Sequence, residues 1–426
     1  MLSLEAKTKY PFIYYVFAFL FTICLFEYIH PFYMLSWFGV LSLPVILLIA
    51  GRILLKPNVH FRMNLLFMLM MLMVFWFFLT SLFSLEPHVS FKESIAFARL
   101  VVFVMIISIC FMNFWNEKYT EPITSWFVII FAILSLTVLT DAFGITNFSG
   151  FGLRTTKYRV AGLLAGGVYG AFMPVVFLPF VYYKAFCCLK KSKVISGLLF
   201  SGLAVIGFAS TFLLASWSAT VTCLLVSMLS IGYIVIRLKS NVKYLFLFLN
   251  VTIIFLASPF INKTLLSYKD IDRVIDKFTG IVTIRVEDGQ VYAEDGSAAQ
   301  RLELIRVAKH YFLQRPFFGI GRGSFFPLTG KVSHNNYIQM FAETGFVGGV
   351  LFMLLTVTVF AYLIGALKDS QDKTFWFFLM NSFLVTVILF AVESYIQIKL
   401  FWVFIVPFAV VARSKSIKKY RRAKIQ

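Results

Sequence analysis

Apolar runs of about 18–22 residues recur along most of the chain, separated by short polar or basic segments. A run of this length crosses the roughly 30 Å hydrocarbon core of a bilayer as an α-helix. The pattern therefore predicts about twelve membrane-spanning helices. Their approximate bounds are 11–29, 32–51, 64–84, 95–115, 123–143, 162–183, 194–213, 216–236, 244–261, 346–367, 375–392 and 397–412.

The stretch 194–236 is divided into two of these spans. A single helix of that length would overshoot any bilayer. The polar residues in its middle, within the segment LASWSAT at 214–220, predict a tight turn there.

The composition agrees with a membrane protein. The chain is 60% hydrophobic and only 14% charged, whereas a soluble domain carries roughly 25% charged residues. So much apolar surface exceeds what a soluble fold of this size can bury. We predict an all-α polytopic membrane protein with one large outer loop that contains short helices.

The formal net charge of +20 has an explanation that does not involve nucleic acid. Lys and Arg cluster in alternate short turns and in the tail, as in the cytoplasmic loops of membrane proteins. With an even number of spans, both termini are predicted to be cytoplasmic. The predicted units are nine spans in 1–261, a large outer loop in 262–344, three spans in 345–412 and a basic tail in 413–426.

The outer loop 262–344 is far longer than any other connection, which favours a functional role. Apolar residues at helical spacing predict an amphipathic helix over 298–314, which Pro316 ends. A glycine-rich turn, FGIGRGSFF, follows at 318–326.

Two outward loops are basic, against the usual trend of membrane proteins. The first is 262–344, and the second is 144–160, with Arg154, Lys157 and Arg159 and almost no acidic residue. This asymmetry predicts an anionic ligand on the outer face.

The segment 334–349, HNNYIQMFAETGFVGG, is the candidate reactive element. As a helix it places three polar side chains on one face: Asn335, Gln339 and Glu343. His334 lies at its outer end, where water and substrate can reach it. Gly345 and Gly349 form a GxxxG pair that would let the span pack closely on a neighbour. A polar helix start with a purely structural histidine would produce the same pattern.

Cysteine and histidine spacing supports no metal or disulfide site. The five cysteines include no CxxC pair and the five histidines are scattered. The sequence therefore predicts no metal and no cofactor.

The motifs together resemble those of the bacterial O-antigen ligases and the related O-antigen polymerases. His334-Asn335, nine residues, Gly345, two residues and Gly348 match the family's H-[N/S/Q]-x9-G-x-x-G signature. Arg301 opens the helix before the signature, PFFGIGRG precedes the histidine, and Arg159-Val-Ala-Gly162 is similar to the family's Arg-x-x-Gly element. The resemblance covers about 140–365 with usable motifs and rests on hydropathy elsewhere.

This resemblance implies a multi-pass enzyme of the bacterial inner membrane: an inverting, metal-independent glycosyltransferase of lipopolysaccharide biosynthesis. Its donor would be an undecaprenyl-diphosphate-linked glycan. A ligase would transfer the glycan at the periplasmic face to a sugar hydroxyl of lipid A-core, and a polymerase to another lipid-linked repeat unit. Its partners would be these substrates and membrane lipids, without nucleic acid.

Roles follow for individual residues. His334 is the candidate base, since histidine titrates near neutrality. Arginine's planar fork suits phosphate oxygens, and the candidates for the donor diphosphate are Arg159, Arg301, Arg322 and Arg99. Arg322 is flanked by glycines, as solvated arginines often are, and Arg99 lies one to two turns inside the fourth span. The supporting residues are Asn335, Glu343, Gly345 and Gly348, with Glu343 expected to orient an arginine.

One departure from the family keeps the choice of reaction open. Ligases and many polymerases have an arginine at the turn after the seventh span, where this chain reads Ser216-Trp217-Ser218. Ligase is preferred over polymerase, and a transporter of lipid-linked glycans is the third reading. A transporter would need charges near the bilayer midplane, and the spans carry few.

The topology is testable by labelling. Met1 and Gln426 are expected in the cytoplasm and residues 262–344 in the periplasm. A cysteine replacing Ser297 in a cysteine-free background should react with a membrane-impermeant maleimide in intact spheroplasts. Labelling only after lysis would show that the orientation is the reverse of the predicted one.

Overall fold

The structure is a computed structural model. It describes residues 51, 63–115, 119–146, 168–214, 216–238, 244, 246–247, 285–287, 290–292, 296–370, 372–392, 402 and 405–413.

Long helices dominate the described residues. Those with defined bounds are α1 (Leu65–Leu82), α2 (Pro87–Phe114), α3 (Thr120–Ala142), α4 (Val168–Lys190), α5 (Val194–Leu213), α6 (Trp217–Arg237), α7 (Gly296–Gln314), α8 (Phe325–Thr329), α9 (Asn336–Asp369) and α10 (Lys373–Val392). Within the described ranges, eight helices are long and apolar enough to cross a membrane. The chain is thus a multi-pass membrane protein.

These eight helices correspond to eight of the predicted spans. The spans at 11–29, 32–51 and 244–261 lie wholly or almost wholly outside the described residues, and 397–412 is described only in part. A count of twelve is therefore not established. Two helices begin earlier than hydropathy predicts, α2 at Pro87 and α9 at Asn336, because their first turns are polar and extend beyond the apolar stretch.

The predicted division of 194–236 is confirmed. Helix α5 ends at Leu213 and α6 begins at Trp217. The connection is shorter than the predicted turn at 214–220.

Helix α4 lies at the centre of the bundle. In its apolar 18-residue stretch, 83% of the residues are buried. It packs against α3, α5, α6 and α10. Pro174 and Pro179 interrupt its hydrogen-bond ladder. Close to the second proline, the Ser382 hydroxyl of α10 donates a 2.8 Å hydrogen bond to the carbonyl of Val176 and so ties α10 to α4.

The segment before α9 forms a small structured unit. Strands β1 (Arg285–Glu287) and β2 (Gln290–Tyr292) pair antiparallel, a short exception to the all-α architecture. The predicted amphipathic helix is confirmed as α7. Its apolar face contributes to a second, smaller core made of Leu304, Ala308, Ile320, Phe325 and Ala342.

Helix α9 is broken at Gly345, where φ is 68° and ψ is −170°. This conformation is essentially restricted to glycine. The interpretation of Gly345 and Gly349 as a helix-packing pair is therefore wrong, because Gly345 is not helical. A Cβ on Gly349 would meet Phe341 of the same element.

Alanine substitution tests the break. A Cβ on Gly345 would lie 2.0 Å from the carbonyl oxygen of Phe317, and the positive φ adds about 1–3 kcal/mol of strain. We expect Gly345→Ala to lower the thermal unfolding midpoint in detergent clearly. Gly365→Ala, in open space on the same element, is the control and should stabilise slightly, by up to about 1 kcal/mol. Equal midpoints for the two variants would mean that the break is not required.

Candidate functional site

The break at Gly345 leaves backbone groups of α9 without helical partners, and other segments supply them. The carbonyls of Ala342 and Glu343 accept from the N–H groups of Ile320 and Gly321, at 3.0 and 2.8 Å. The N–H of Phe346 donates to the carbonyl of Pro316 at 2.7 Å. Since unpaired backbone groups are costly in an apolar bundle, the break depends on the glycine-rich segment, residues 316–324.

The glycines of this segment permit that close contact. Gly319 has φ +66°, and a Cβ there would lie 2.5 Å from the backbone carbon of Glu343. On the other side, the hydroxyl of Ser84 donates to the carbonyl of Ile320 at 2.9 Å, and the N–H of Leu85 donates to the same carbonyl at 2.9 Å. The segment is thus held between the α1–α2 turn and the break in α9.

Aromatic side chains of α1 complete this support. The indole N–H of Trp76 donates to the carbonyl of Thr344 at 2.8 Å. Phe318 stacks on Trp76 and Phe83, with ring centroids 5.6 and 4.3 Å apart. A Cβ on Gly348 would lie 2.0 Å from the Thr344 hydroxyl. Gly348, the second glycine of the signature, therefore leaves room for the Thr344 side chain.

Arg322 and Glu343 form a buried ion pair. Nη1 of Arg322 contacts Oε2 of Glu343, and the two side chains are only 6% and 0% exposed. The guanidinium also lies 5.7 Å from the ring centroid of Phe77. Arg322 is therefore not a solvated arginine, which was the alternative to its candidate role as a diphosphate ligand. Gly321 and Gly323 let the backbone approach α1–α2 and carry the arginine inward.

Hydrogen bonds connect this ion pair to the residues beside His334. Gln339 donates from Nε2 to Oε1 of Glu343 at 2.8 Å. The Ser333 hydroxyl lies 3.1 Å from Oε1 of Gln339 and 3.0 Å from the carbonyl oxygen of Asn335. We call Arg322, Glu343, Gln339 and Ser333 the buried polar chain.

His334 precedes α9 and does not belong to it, contrary to the helical interpretation of 334–349. Its φ is 53°, in the left-handed region that few non-glycine residues adopt. Asn335 is the N-cap, and its side chain accepts from the N–H of Ile338 at 3.1 Å. His334 is half-buried, and both of its neighbours in the chain are held by hydrogen bonds.

The candidate arginines are not all brought together. Arg301 lies near the start of α7, on the same face as Leu304 and Ala308 of the small core. Arg159 lies outside the described residues. Arg99 is exposed and lines a cavity between α1 and α2 whose lining includes neither Arg322 nor His334. Because α2 begins at Pro87, Arg99 lies more than three turns from the start of this helix, and not the one to two turns that the sequence predicts.

Two buried donors of this site make no hydrogen bond within the described structure. They are Nε of Arg322 and Nδ2 of Asn336. Among the residues that the structure describes, no three His, Cys, Asp or Glu side chains lie close enough together to hold a metal ion.

Several residues of this site carried no sequence signal. Trp76, Phe77 and Ser84 lie in or just after an ordinary apolar run, some 240–270 positions from their partners. Gln339 was visible on the polar stripe, four residues before Glu343, and that spacing could have placed it in the site.

A sequence model of the O-antigen ligase family matches residues 202–353. Residues 202–353, which we call the O-antigen ligase domain after this match, are therefore similar to that family. The O-antigen ligase domain includes Arg301, the glycine-rich segment, His334 and the break at Gly345. It supports a membrane enzyme of the ligase or polymerase type, a glycosyltransferase-like class whose substrates in general are lipid-linked glycans and lipid A-core. A comparison with curated proteins gives no match.

The buried ion pair of the O-antigen ligase domain can be tested by removing one charge. Glu343→Gln leaves the Arg322 guanidinium buried without a counter-ion, which should lower the free energy of unfolding by about 3–5 kcal/mol. The measurement is unfolding of the purified protein by SDS titration.

Two further variants make this test specific. Arg322→Met/Glu343→Leu should recover most of the loss, since apolar replacement of a buried pair is often neutral. Glu303→Gln, at an exposed position of α7, should have no effect. A Glu343→Gln protein as stable as wild type would show that the ion pair does not contribute to the stability of the site.

Proposed function

We propose that this protein transfers a glycan from an undecaprenyl-diphosphate carrier to a sugar hydroxyl at the periplasmic face of the inner membrane. The preferred acceptor is lipid A-core, which makes the protein an O-antigen ligase. The second candidate is an O-antigen polymerase, which joins lipid-linked repeat units.

The observation that carries this proposal is the position of His334 within the O-antigen ligase domain. A half-buried histidine at the bundle end is held between residues fixed by the buried polar chain. Substrates can reach such a side chain, while its backbone is held in a fixed conformation. A general base needs this combination of access and fixed geometry.

In the proposed reaction, the acceptor hydroxyl oxygen attacks the anomeric carbon of the donor sugar. The bond between that carbon and the diphosphate oxygen breaks, and the diphosphate leaves with the electron pair. His334 takes the hydroxyl proton. Direct displacement from the opposite side inverts the anomeric configuration.

The leaving diphosphate needs cations whose charge is not already neutralised. Arg322 is paired with Glu343, so we assign it to positioning the site. Arg301, near the start of α7, and Arg159, in the second basic loop, are the proposed diphosphate ligands. Glu343, Asn335, Gly345 and Gly348 support the geometry and do not contact substrate in this proposal.

The glycan phenotype of a deletion strain separates ligase from polymerase. Loss of a ligase leaves free lipid A-core together with accumulated long lipid-linked chains. Loss of a polymerase leaves core that bears a single repeat unit. Unchanged lipopolysaccharide would contradict both assignments.

Removing the proposed base gives a direct kinetic prediction. His334→Ala should retain donor binding but lose transfer by roughly 10²–10⁴-fold, the usual scale for general-base catalysis. His310→Ala, on the exposed side of α7, is the matched control and should transfer at the wild-type rate. Near wild-type turnover by purified His334→Ala would exclude histidine from the mechanism.

The proposed diphosphate ligands should be sensitive to shape as well as to charge. Arg159→Lys and Arg301→Lys keep the charge but lose the bidentate fork, so transfer should fall clearly, and both alanine variants should be inactive. Arg306→Lys, one to two turns further along α7 and exposed, is the control. Folded alanine variants with full activity would refute this assignment.

A further inference from the structure

A cavity of about 670 Å³ lies between the end of α1 and the first turns of α2, which is the end of the bundle nearest the glycine-rich segment. His88, Lys92 and Arg99 line it, together with apolar Leu82, Phe91 and Ile95. His88, Lys92, Ile95 and Arg99 follow one another at intervals of four, three and four residues, so they form one stripe on α2. We call this cavity the α1–α2 groove.

The walls of the groove are fixed by contacts on the opposite face of α2. The Ser81 hydroxyl of α1 lies 2.9 Å from that of Ser90 and 3.0 Å from that of Ser94. Phe77 of α1 packs against Phe97 of α2, with ring centroids 4.8 Å apart. The groove is therefore a preformed feature of a tightly packed helix pair.

Within the part of the chain that the structure describes, no acidic side chain neutralises the charges in the groove. Among the described residues, His88, Lys92 and Arg99 form no hydrogen bond or ion pair. Helix α2 has 28 residues, about 42 Å, and so exceeds the roughly 30 Å apolar core of a bilayer. Arg99 lies about 18 Å from its start, where a cation at a lipid-facing surface needs an anionic partner or must extend toward the headgroups.

We propose that the α1–α2 groove binds the phosphate headgroup of an anionic phospholipid. Lys92 and Arg99 neutralise the phosphate, and His88 contacts the polar part of the headgroup. The acyl chains lie against Leu82, Phe91 and Ile95, which are 72%, 49% and 42% exposed.

A resident phospholipid fits the groove better than the glycan donor does. The reacting carbon of a donor must come close to His334, yet His334, Arg301 and Arg322 are absent from the lining of the groove. Glu93, on a different face of α2, is the residue that approaches the glycine-rich segment, at Gly323. The groove therefore opens to a different side of the helix from the candidate active site, and the lipid site does not depend on the proposed function.

Native mass spectrometry of the full-length protein tests the proposal. Protein purified in detergent is incubated with phosphatidylglycerol or with zwitterionic phosphatidylcholine, and the retained lipid is counted. Wild type should retain phosphatidylglycerol and release phosphatidylcholine. Lys92→Gln/Arg99→Gln should reduce phosphatidylglycerol retention by roughly 10–30-fold, whereas Arg99→Lys, which keeps the charge, should retain it within about twofold.

Controls separate this site from general attraction to basic residues. Lys190→Gln/Lys191→Gln removes two exposed cations at the opposite end of the bundle and should leave retention unchanged. Equal loss in this control and in the groove variant would overturn the proposal. Displacement of the lipid by millimolar inorganic phosphate, or by equimolar undecaprenyl diphosphate, would also overturn it, since the groove would then be a free-anion site or a donor site.

Discussion

The structure of the site depends on hydrogen-bond donors for three consecutive backbone carbonyls inside an apolar bundle. Gly345 breaks α9 and leaves the carbonyls of residues 342–344 without helical donors. Ala342, Glu343 and Thr344 are fully buried, so the protein and not water must supply the partners. Ile320, Gly321 and the indole of Trp76 do so, and this requirement fixes where the glycine-rich segment runs.

The buried ion pair follows from that path. Once Gly319 and Gly321 lie against α9, the next residue, Arg322, is brought to Glu343, one residue before Thr344. A buried pair of this kind contributes little net stability but fixes geometry strongly, because losing either partner is costly. Gln339 and Ser333 extend the constraint to the backbone on either side of His334. A histidine next to a membrane surface is thereby held in place by contacts made within the bundle.

Sequence periodicity predicted the spans that begin and end in apolar residues, such as α1 and α5, and the amphipathic α7. It missed the true starts of α2 and α9, because their polar first turns lower the local hydropathy.

The signature residues His334, Gly345 and Gly348 were found by resemblance, but their geometry was not. Gly345 in a GxxxG spacing suggests a helix contact, and only its backbone angles in the structure show that it breaks the helix. Arg322 between glycines suggests exposure. Glu343 was expected to orient an arginine, but spacing did not show that this arginine is Arg322, because 21 residues separate the two. Trp76 and Phe77 contribute through tertiary contacts that leave no local pattern.

We propose that His334 and its surrounding structure support displacement of a lipid diphosphate by a sugar hydroxyl. The most direct test is transfer by the purified protein, reconstituted with a donor of known anomeric configuration and a defined lipid A-core acceptor. The configuration of the new glycosidic bond is then read by NMR. Direct displacement gives a product with the inverted configuration. A product with the retained configuration, or no product at all, would contradict this mechanism.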